Sequence, residues 1–307
     1  MIELQDVVQS IAGRRVVDHV TLTIPPGAFC ALVGSSGAGK STTLKMINRL
    51  IAPTSGTIRV GGEDVMGLPP EALRRRIGYV IQSIGLFPHW TVADNIATVP
   101  HLLAWPQRRI DARIDELLDL MRLDRRDYRD KYPRQLSGGQ QQRVGIARAL
   151  AADPELLLMD EPFGALDPIT REALAAELAL IHQRTGKTIV FVTHDIDMAL
   201  HLADIVAIMH DGKLVQATAP LEILEHPAND FVREFIGRQG LGLKLLSLRH
   251  VAELVRPGVP VDGAPITPET TLTEALSQMV ERHTDRLAVR AASGADAGAV
   301  VLSDLVR

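Results

Sequence analysis

Phe29-Cys30-Ala31-Leu32-Val33, running straight into Gly34-Ser35-Ser36-Gly37-Ala38-Gly39-Lys40-Ser41, decides the fold of this chain. Five consecutive apolar residues read as a strand buried on both faces, as in a parallel sheet. The next eight match G-x-x-x-x-G-K-[ST] in full, and Lys40–Leu50 continues as a helix. Strand, glycine-rich loop and helix together are the setting that a phosphate-binding loop requires. The glycines let backbone N–H groups approach phosphate oxygens, Lys40 brings charge to the outer phosphates, and Ser41 offers a hydroxyl to Mg²⁺. Thr42 stands on the same first helical turn and is counted with the phosphate-binding residues.

Outward from this loop the pattern alternates. Residues 2–9 and 15–24 read as strands, as do 57–60 and 77–81, with Pro69-Pro70 opening a short helix between the latter two. Residues from about 91 to 150 read as helical, with Ile110, Ile114, Leu117, Leu118 and Met121 at helical spacing. Strands are then expected at 156–159 and 188–193 and helices at 169–185 and 198–203. Ile205–His210 and Lys213–Thr218 flank Asp211-Gly212 as a hairpin. The fold class is α/β, a predominantly parallel core with an inserted helical subdomain at about 83–150. Three glycines within Gly237–Gly242 suggest a linker. Beyond it, helices at 251–255 and 271–283, strands at 286–289 and 299–302, a turn at 296–298 and a helical end at 303–306 form a unit of their own. The domain boundary is placed between residues 236 and 237.

Bulk properties limit the partners. The 307 residues carry a net charge of -4 and only 4% aromatics, which argues against a nucleic-acid partner. The single cysteine, Cys30, lies inside the apolar strand and reads as a buried thiol. The N-terminus has no basic n-region and no long apolar core, so no signal peptide is expected. No run reaches the roughly 20 apolar residues that span a bilayer, since 188–209 is interrupted by His194, Asp195, Asp197 and Asp204. A role in a membrane process would be peripheral.

Further motifs sharpen the chemistry. Asp160 ends the apolar run Leu156-Leu157-Leu158-Met159, where a carboxylate reaches Mg²⁺. Glu161 follows and is placed to deprotonate an attacking water. His194 and Gln82 each stand at a strand end, where ligand groups gather in parallel sheets. His194 is read as a γ-phosphate contact and Gln82 as a Mg²⁺ ligand or water holder. Leu136-Ser137-Gly138-Gly139-Gln140 opens a helix. Its serine is either a plain N-cap or, with the neighbouring N–H groups, an anion site. One phosphate loop has no internal use for a second such site, so the simplest use is a nucleotide held by another copy of the chain.

The ordered set resembles the ATP-binding cassette (ABC) ATPases of ABC transporters over about residues 2–236. Gly34–Ser41 resembles the Walker A loop, Gln82 the Q-loop glutamine, Leu136–Gln140 the signature, Asp160-Glu161 the Walker B pair, Ala165-Leu166-Asp167 the D-loop and His194 the switch histidine. The resemblance implies a P-loop cassette with a mixed sheet core, ATP and Mg²⁺ as cofactors, and two copies closing head to tail. The metal would be held by Ser41, Gln82 and Asp160. Glu161, His194, Lys40 and Gln82 would carry catalysis, with Ser137, Gly138, Gly139 and Gln140 facing the partner's nucleotide. The aromatic that often stacks on adenine is replaced by Ile11, so apolar contact from Ile11 and Val17 is expected instead.

Gly78–His89, with Asn95-Ile96 and Val99-Pro100, resembles the importers of glycine betaine, choline and carnitine. Residues 271–279, 286–289 and 298–305 resemble one cystathionine-β-synthase (CBS) motif, implying a small α+β domain that either regulates or aids dimerisation. The implied location is the cytoplasmic face of the inner membrane. Permease subunits would contact Gln82–Trp90, and a substrate-binding protein would act indirectly. Two other readings stay open: an ABC importer of another solute, and a non-transport ABC ATPase.

Overall fold

The structure, a computed structural model, describes residues 1–83, 85–164, 166–237, 240–257, 261, 263–291 and 296–305. They fall into two compact units, Met1–Ala219 and Pro220–Arg307. The first unit opens with β1 (Ile2–Ile11), β2 (Arg14–Ile24), β3 (Phe29–Gly34) and α1 (Lys40–Ile47). Then come β4 (Ser55–Val60), β5 (Glu63–Asp64), α2 (Pro70–Arg75) and β6 (Ile77–Val80). A helical stretch follows, with α3 (Val92–Leu102), α4 (Gln107–Leu120), α5 (Arg125–Tyr128) and α6 (Gly138–Leu150). The unit ends with β7 (Leu156–Asp160), α7 (Pro168–Thr185), β8 (Thr188–Val192), α8 (Ile196–Leu202), β9 (Ile205–His210) and β10 (Lys213–Thr218).

Two sheets share the first core. One is antiparallel, in the order β2-β1-β4-β5, and the other runs β10-β9-β3-β8-β7-β6. In the second sheet β9, β3, β8, β7 and β6 are parallel, and only β10 turns back. Every residue of β3, β7 and β8 is buried, which is why these strands read as continuous apolar runs. Leu44, Met46 and Ile47 of α1 join Ile2, Leu4 and Ile58 of one sheet to Leu32, Leu158 and Val190 of the other in one apolar cluster. Because the central strands are parallel, their carboxyl ends share one edge. Gly34, Asp160 and Val192 end there.

Cys30 is buried within β3. Burial, and secondarily the charge of Asp204, push its thiol up to about 12. A thiolate is the reactive species, so Cys30 in the folded chain is expected to react with Ellman's reagent at pH 8 at least about 100-fold slower than in denaturant. Labelling at equal rates would contradict this packing.

The helical stretch is anchored by capping. Thr91 and Asp94 form a capping box at the start of α3. Asn95 is buried, and its side chain holds the preceding loop: Oδ1 accepts from Phe87 N–H at 2.8 Å and Nδ2 donates to the Thr91 carbonyl at 2.9 Å. That loop carries Phe87 and Trp90 at the surface, each 43% exposed, with ring centroids 4.5 Å apart. The second tryptophan, Trp105, has the Arg109 guanidinium 3.4 Å from its ring centre.

The second unit comprises α9 (Pro220–Glu225), α10 (Asp230–Ile236), α11 (Leu241–Leu248), α12 (Leu272–Glu281), β11 (Arg286–Arg290), β12 (Asp296–Val301) and α13 (Leu302–Leu305). Its core gathers Val251, Leu272, Met279, Leu287, Val289 and Val300. Three expectations are corrected here. The boundary lies at 219/220 rather than 236/237, because α9 packs on α11 and Arg249 pairs with Glu225, which ties residues 220–236 to the tail. The glycine-rich linker ends at Gly240, where the leucine-rich run Leu241–Leu248 forms a helix. Residues 296–298 are strand, not turn, because Ala299 and Gly298 pair with Ala288 and Val289 and the strand continues back to Asp296. Residues 292–295 and 306 lie outside the described residues.

Candidate active site

Gly34 and Gly39 shape the phosphate loop for reasons visible in space. Gly34 has φ 147, and a Cβ there would sit 2.1 Å from the Met209 carbonyl oxygen. Gly39 has φ 96, and its Cβ would meet the Val16 carbonyl oxygen at 2.4 Å. No other residue type fits either position. Beyond Gly39, Lys40, Ser41 and Thr42 form the first turn of α1, whose leading N–H groups lack intrahelical acceptors and favour an anion. Ser35, Ser36, Gly37 and Ala38 complete the loop between strand and helix.

Lys40 is buried, and its ammonium donates to the Gly34 carbonyl at 2.7 Å and the Ser35 carbonyl at 2.8 Å. It is thus tethered across the mouth of the loop with donor capacity to spare. Burial lowers its pKa, and the charges of Glu161 and Asp160 pull the other way. Ser41 Oγ donates to Asp160 Oδ1 at 2.6 Å. A hydroxyl paired with a buried carboxylate is an all-oxygen donor set, which fits a hard cation such as Mg²⁺. The helix N-terminus, the tethered lysine and this pair fit a nucleoside triphosphate with its metal.

Glu161 follows the end of β7 with a left-handed backbone, φ 45, and its N–H donates to the Val192 carbonyl at 3.1 Å. Such a backbone in a non-glycine residue costs about 1 kcal/mol or more, and here it swings the carboxylate out of the sheet. Gln82 Nε2 donates to Glu161 Oε2 at 3.1 Å, and His194 Nδ1 lies 3.8 Å from the same oxygen. The strand-end residues expected from β6, β7 and β8 therefore do converge. Gln82 approaches with its amide nitrogen, leaving its oxygen free to hold water or metal.

Ser137 is the N-cap of α6. Its Oγ accepts from Gln140 N–H at 3.3 Å, and the Gln140 side chain accepts from Ser137 N–H at 2.9 Å. Ser137 and Gly138 are exposed. Among the described residues no hydrogen bond joins this cap to Gly34–Ser41. It is a formed helix N-terminus that its own chain's loop does not use.

Comparison with known proteins completes the assignment. The family profile described as ABC transporter matches residues 17–164. The glycine betaine uptake system ATP-binding protein YehX of Escherichia coli is 55% identical over 306 residues, covering 100% of this chain and 99% of that protein. The chain belongs to the ATP-binding subunits of ABC transporters. The glycine betaine/carnitine/choline transport ATP-binding protein OpuCA of Bacillus subtilis is 49% identical, over 90% of this chain and 72% of that one. A dimeric cassette structure in a post-hydrolysis state bound to ADP and Pi superposes with TM-score 0.64 at 34% identity, covering 72% of this chain and 99% of that one.

Two further residues of this ABC ATPase read differently in three dimensions. Ile11 is 49% exposed and free to offer an apolar face, whereas Val17 is fully buried. Its Cγ2 would lie 3.3 Å from a Cβ at Gly39. Val17 supports the loop from below and offers no surface to a base, which corrects its expected role. Of the D-loop, Ala165 lies outside the described residues. Asp167 caps α7 by accepting from Thr170 N–H at 3.1 Å, and hydrogen bonds from Thr170 hold its carboxyl below the usual range. Arg171, which belongs to none of the motifs read above, also lines the cleft of Glu161 and His194. No helix among the described residues is long and apolar enough to cross a membrane.

Proposed function

We propose that this ATPase powers import of osmoprotectant quaternary amines, such as glycine betaine, choline or carnitine, as two copies closed head to tail. The exposed Ser137 cap carries the pairing of copies in this reading, since it is a helix N-terminus that no hydrogen bond among the described residues joins to the chain's own phosphate loop. In each site, Gly34–Ser41 of one copy would face Ser137, Gly138 and Gly139 of the other. Ser41, Asp160 and Gln82 are the groups suited to hold Mg²⁺, which when bound neutralises phosphate charge. Glu161 would take the proton of the attacking water, and Lys40 and His194 would stabilise charge on the transferred phosphoryl oxygens.

Opening and closing of the pair would drive permease subunits at the cytoplasmic face of the inner membrane. The exposed loop with Phe87 and Trp90 supports a permease contact within residues 82–90. A substrate-binding protein would deliver cargo to the permease without touching this chain. The segment 237–307 would serve as a CBS-like regulatory or dimerisation element. The relatives named for glycine betaine, carnitine and choline support the cargo. In vesicles containing the chain with its permeases and binding protein, ATP is expected to drive uptake of labelled glycine betaine or choline. ATP-driven uptake of a different solute, with neither amine carried, would overturn the assignment of cargo.

A further inference from the structure

Arg171 stands in the first turn of α7, ten residues beyond Glu161, and reaches two places at once. Its Nη2 donates to the Leu166 carbonyl at 3.1 Å, within the turn that follows Glu161. Its Nη1 lies 3.6 Å from Asp195 Oδ2, the carboxylate next to His194. Asp195 is otherwise committed. Its Oδ1 accepts from Met198 N–H at 3.1 Å and so caps α8, while its N–H donates to Thr193 Oγ1 at 3.0 Å. The segment Thr193-His194-Asp195 is thereby fixed on one side by its own helix cap and on the other by Arg171.

The turn from which Arg171 projects is itself held. Thr170, its neighbour, fills the space beside Gly139, where a Cβ would meet Thr170 Cγ2 at 2.6 Å. Further along the same two helices, Arg143 Nη2 donates to the buried Glu177 Oε1 at 2.8 Å. Arg171 Nε is buried and has no hydrogen-bond partner among the described residues. A buried donor left unpaired is a cost that an apolar side chain of similar length would avoid. Stability alone therefore does not account for a guanidinium here.

We propose that Arg171 is a positioning residue of the hydrolytic site, tying the turn after Glu161 to Asp195 and so fixing His194 beside the Glu161 carboxylate. The inference rests on the roles given above to Glu161 and His194, which Glu161→Gln tests on its own. Small displacements of a catalytic group are costly to the chemical step and leave binding of the remote parts of a substrate intact. Lys40 and the phosphate loop make no contact with Arg171 among the described residues, so nucleotide affinity is expected to survive its loss.

The experiment is steady-state ATP hydrolysis by the full chain. Arg171→Ala is expected to lower kcat about tenfold while KM for ATP stays within about twofold. Arg171→Lys, which keeps the charge, is expected to regain at least about half of the lost rate on a logarithmic scale. Asp195→Asn keeps a good helix cap. Combining it with Arg171→Ala is expected to cost no more than Arg171→Ala alone, as for two residues acting through one contact. A kcat for Arg171→Ala within twofold of the parent, a matching rise in KM, or additive losses in the double variant would each overturn the proposal. If Arg171→Ala does not fold, Arg171→Lys against Arg171→Met decides it: equal kcat values would refute the need for a cation at this position.

Discussion

Glu161→Gln is expected to bind ATP as the parent does and to hydrolyse it at least about 100-fold more slowly. The substitution keeps the shape of the side chain and leaves Lys40 and the Ser41–Asp160 pair untouched. What it removes is the carboxylate oxygen that Gln82 and His194 both approach. A positioned general base is worth roughly 10²–10⁴ in rate, so the loss falls on kcat rather than on nucleotide affinity. Because turnover would otherwise reopen a closed pair, the variant with ATP and Mg²⁺ is expected to elute at twice the monomer mass. Hydrolysis at the parental rate would remove Glu161 from the mechanism.

Ser137→Arg is expected to abolish hydrolysis for a different reason, and the contrast is more informative than either variant alone. Losing the cap costs about 1 kcal/mol of helix stability, which a domain of this size tolerates. The long cationic side chain, however, would occupy the face offered to a second copy. If each site joins Glu161 of one copy to Ser137 of the other, a mixed pair of the two dead variants contains one site with both residues intact. An equal mixture should then regain up to about a quarter of the parental rate, half the pairs being mixed and each holding one good site of two. A mixture that demonstrably forms mixed pairs and stays inactive would refute the shared site.

How much of this was readable in the sequence follows from how local the chemistry is. Gly34–Ser41 is a contiguous loop whose conformation and ligand are set by eight neighbouring residues, and it stands where the motif says. Asp160, Glu161, Gln82 and His194 were placed at strand ends by apolar run lengths alone, and a parallel sheet necessarily brings such ends to one edge. Position relative to distant backbone was not readable. Val17 looks like an exposed apolar neighbour of Ile11 until the register of β1 and β2 turns it under Gly39. The pairing of Arg171 with Asp195 spans 24 residues and belongs to no local pattern. In the tail, the glycines at 237–242 suggested a linker, but the leucines of α11 turned the second half of it into helix. Packing against α9 outweighed the local preference.

The placement of the two tryptophans has an optical consequence. Trp90 and Trp105 are the chain's full complement, and both stand in or beside the helical stretch, Trp90 on the exposed loop and Trp105 under the Arg109 guanidinium. Neither the two-sheet core nor the 220–307 unit contains an indole. Indole emission of the unlabelled protein is therefore a native signal from one subdomain only, silent to events at Lys40 unless those events move it. A change in emission on adding ATP, timed against phosphate release, would clock the motion of the loop that carries Phe87 and Trp90 within a single turnover, without a dye or a substitution.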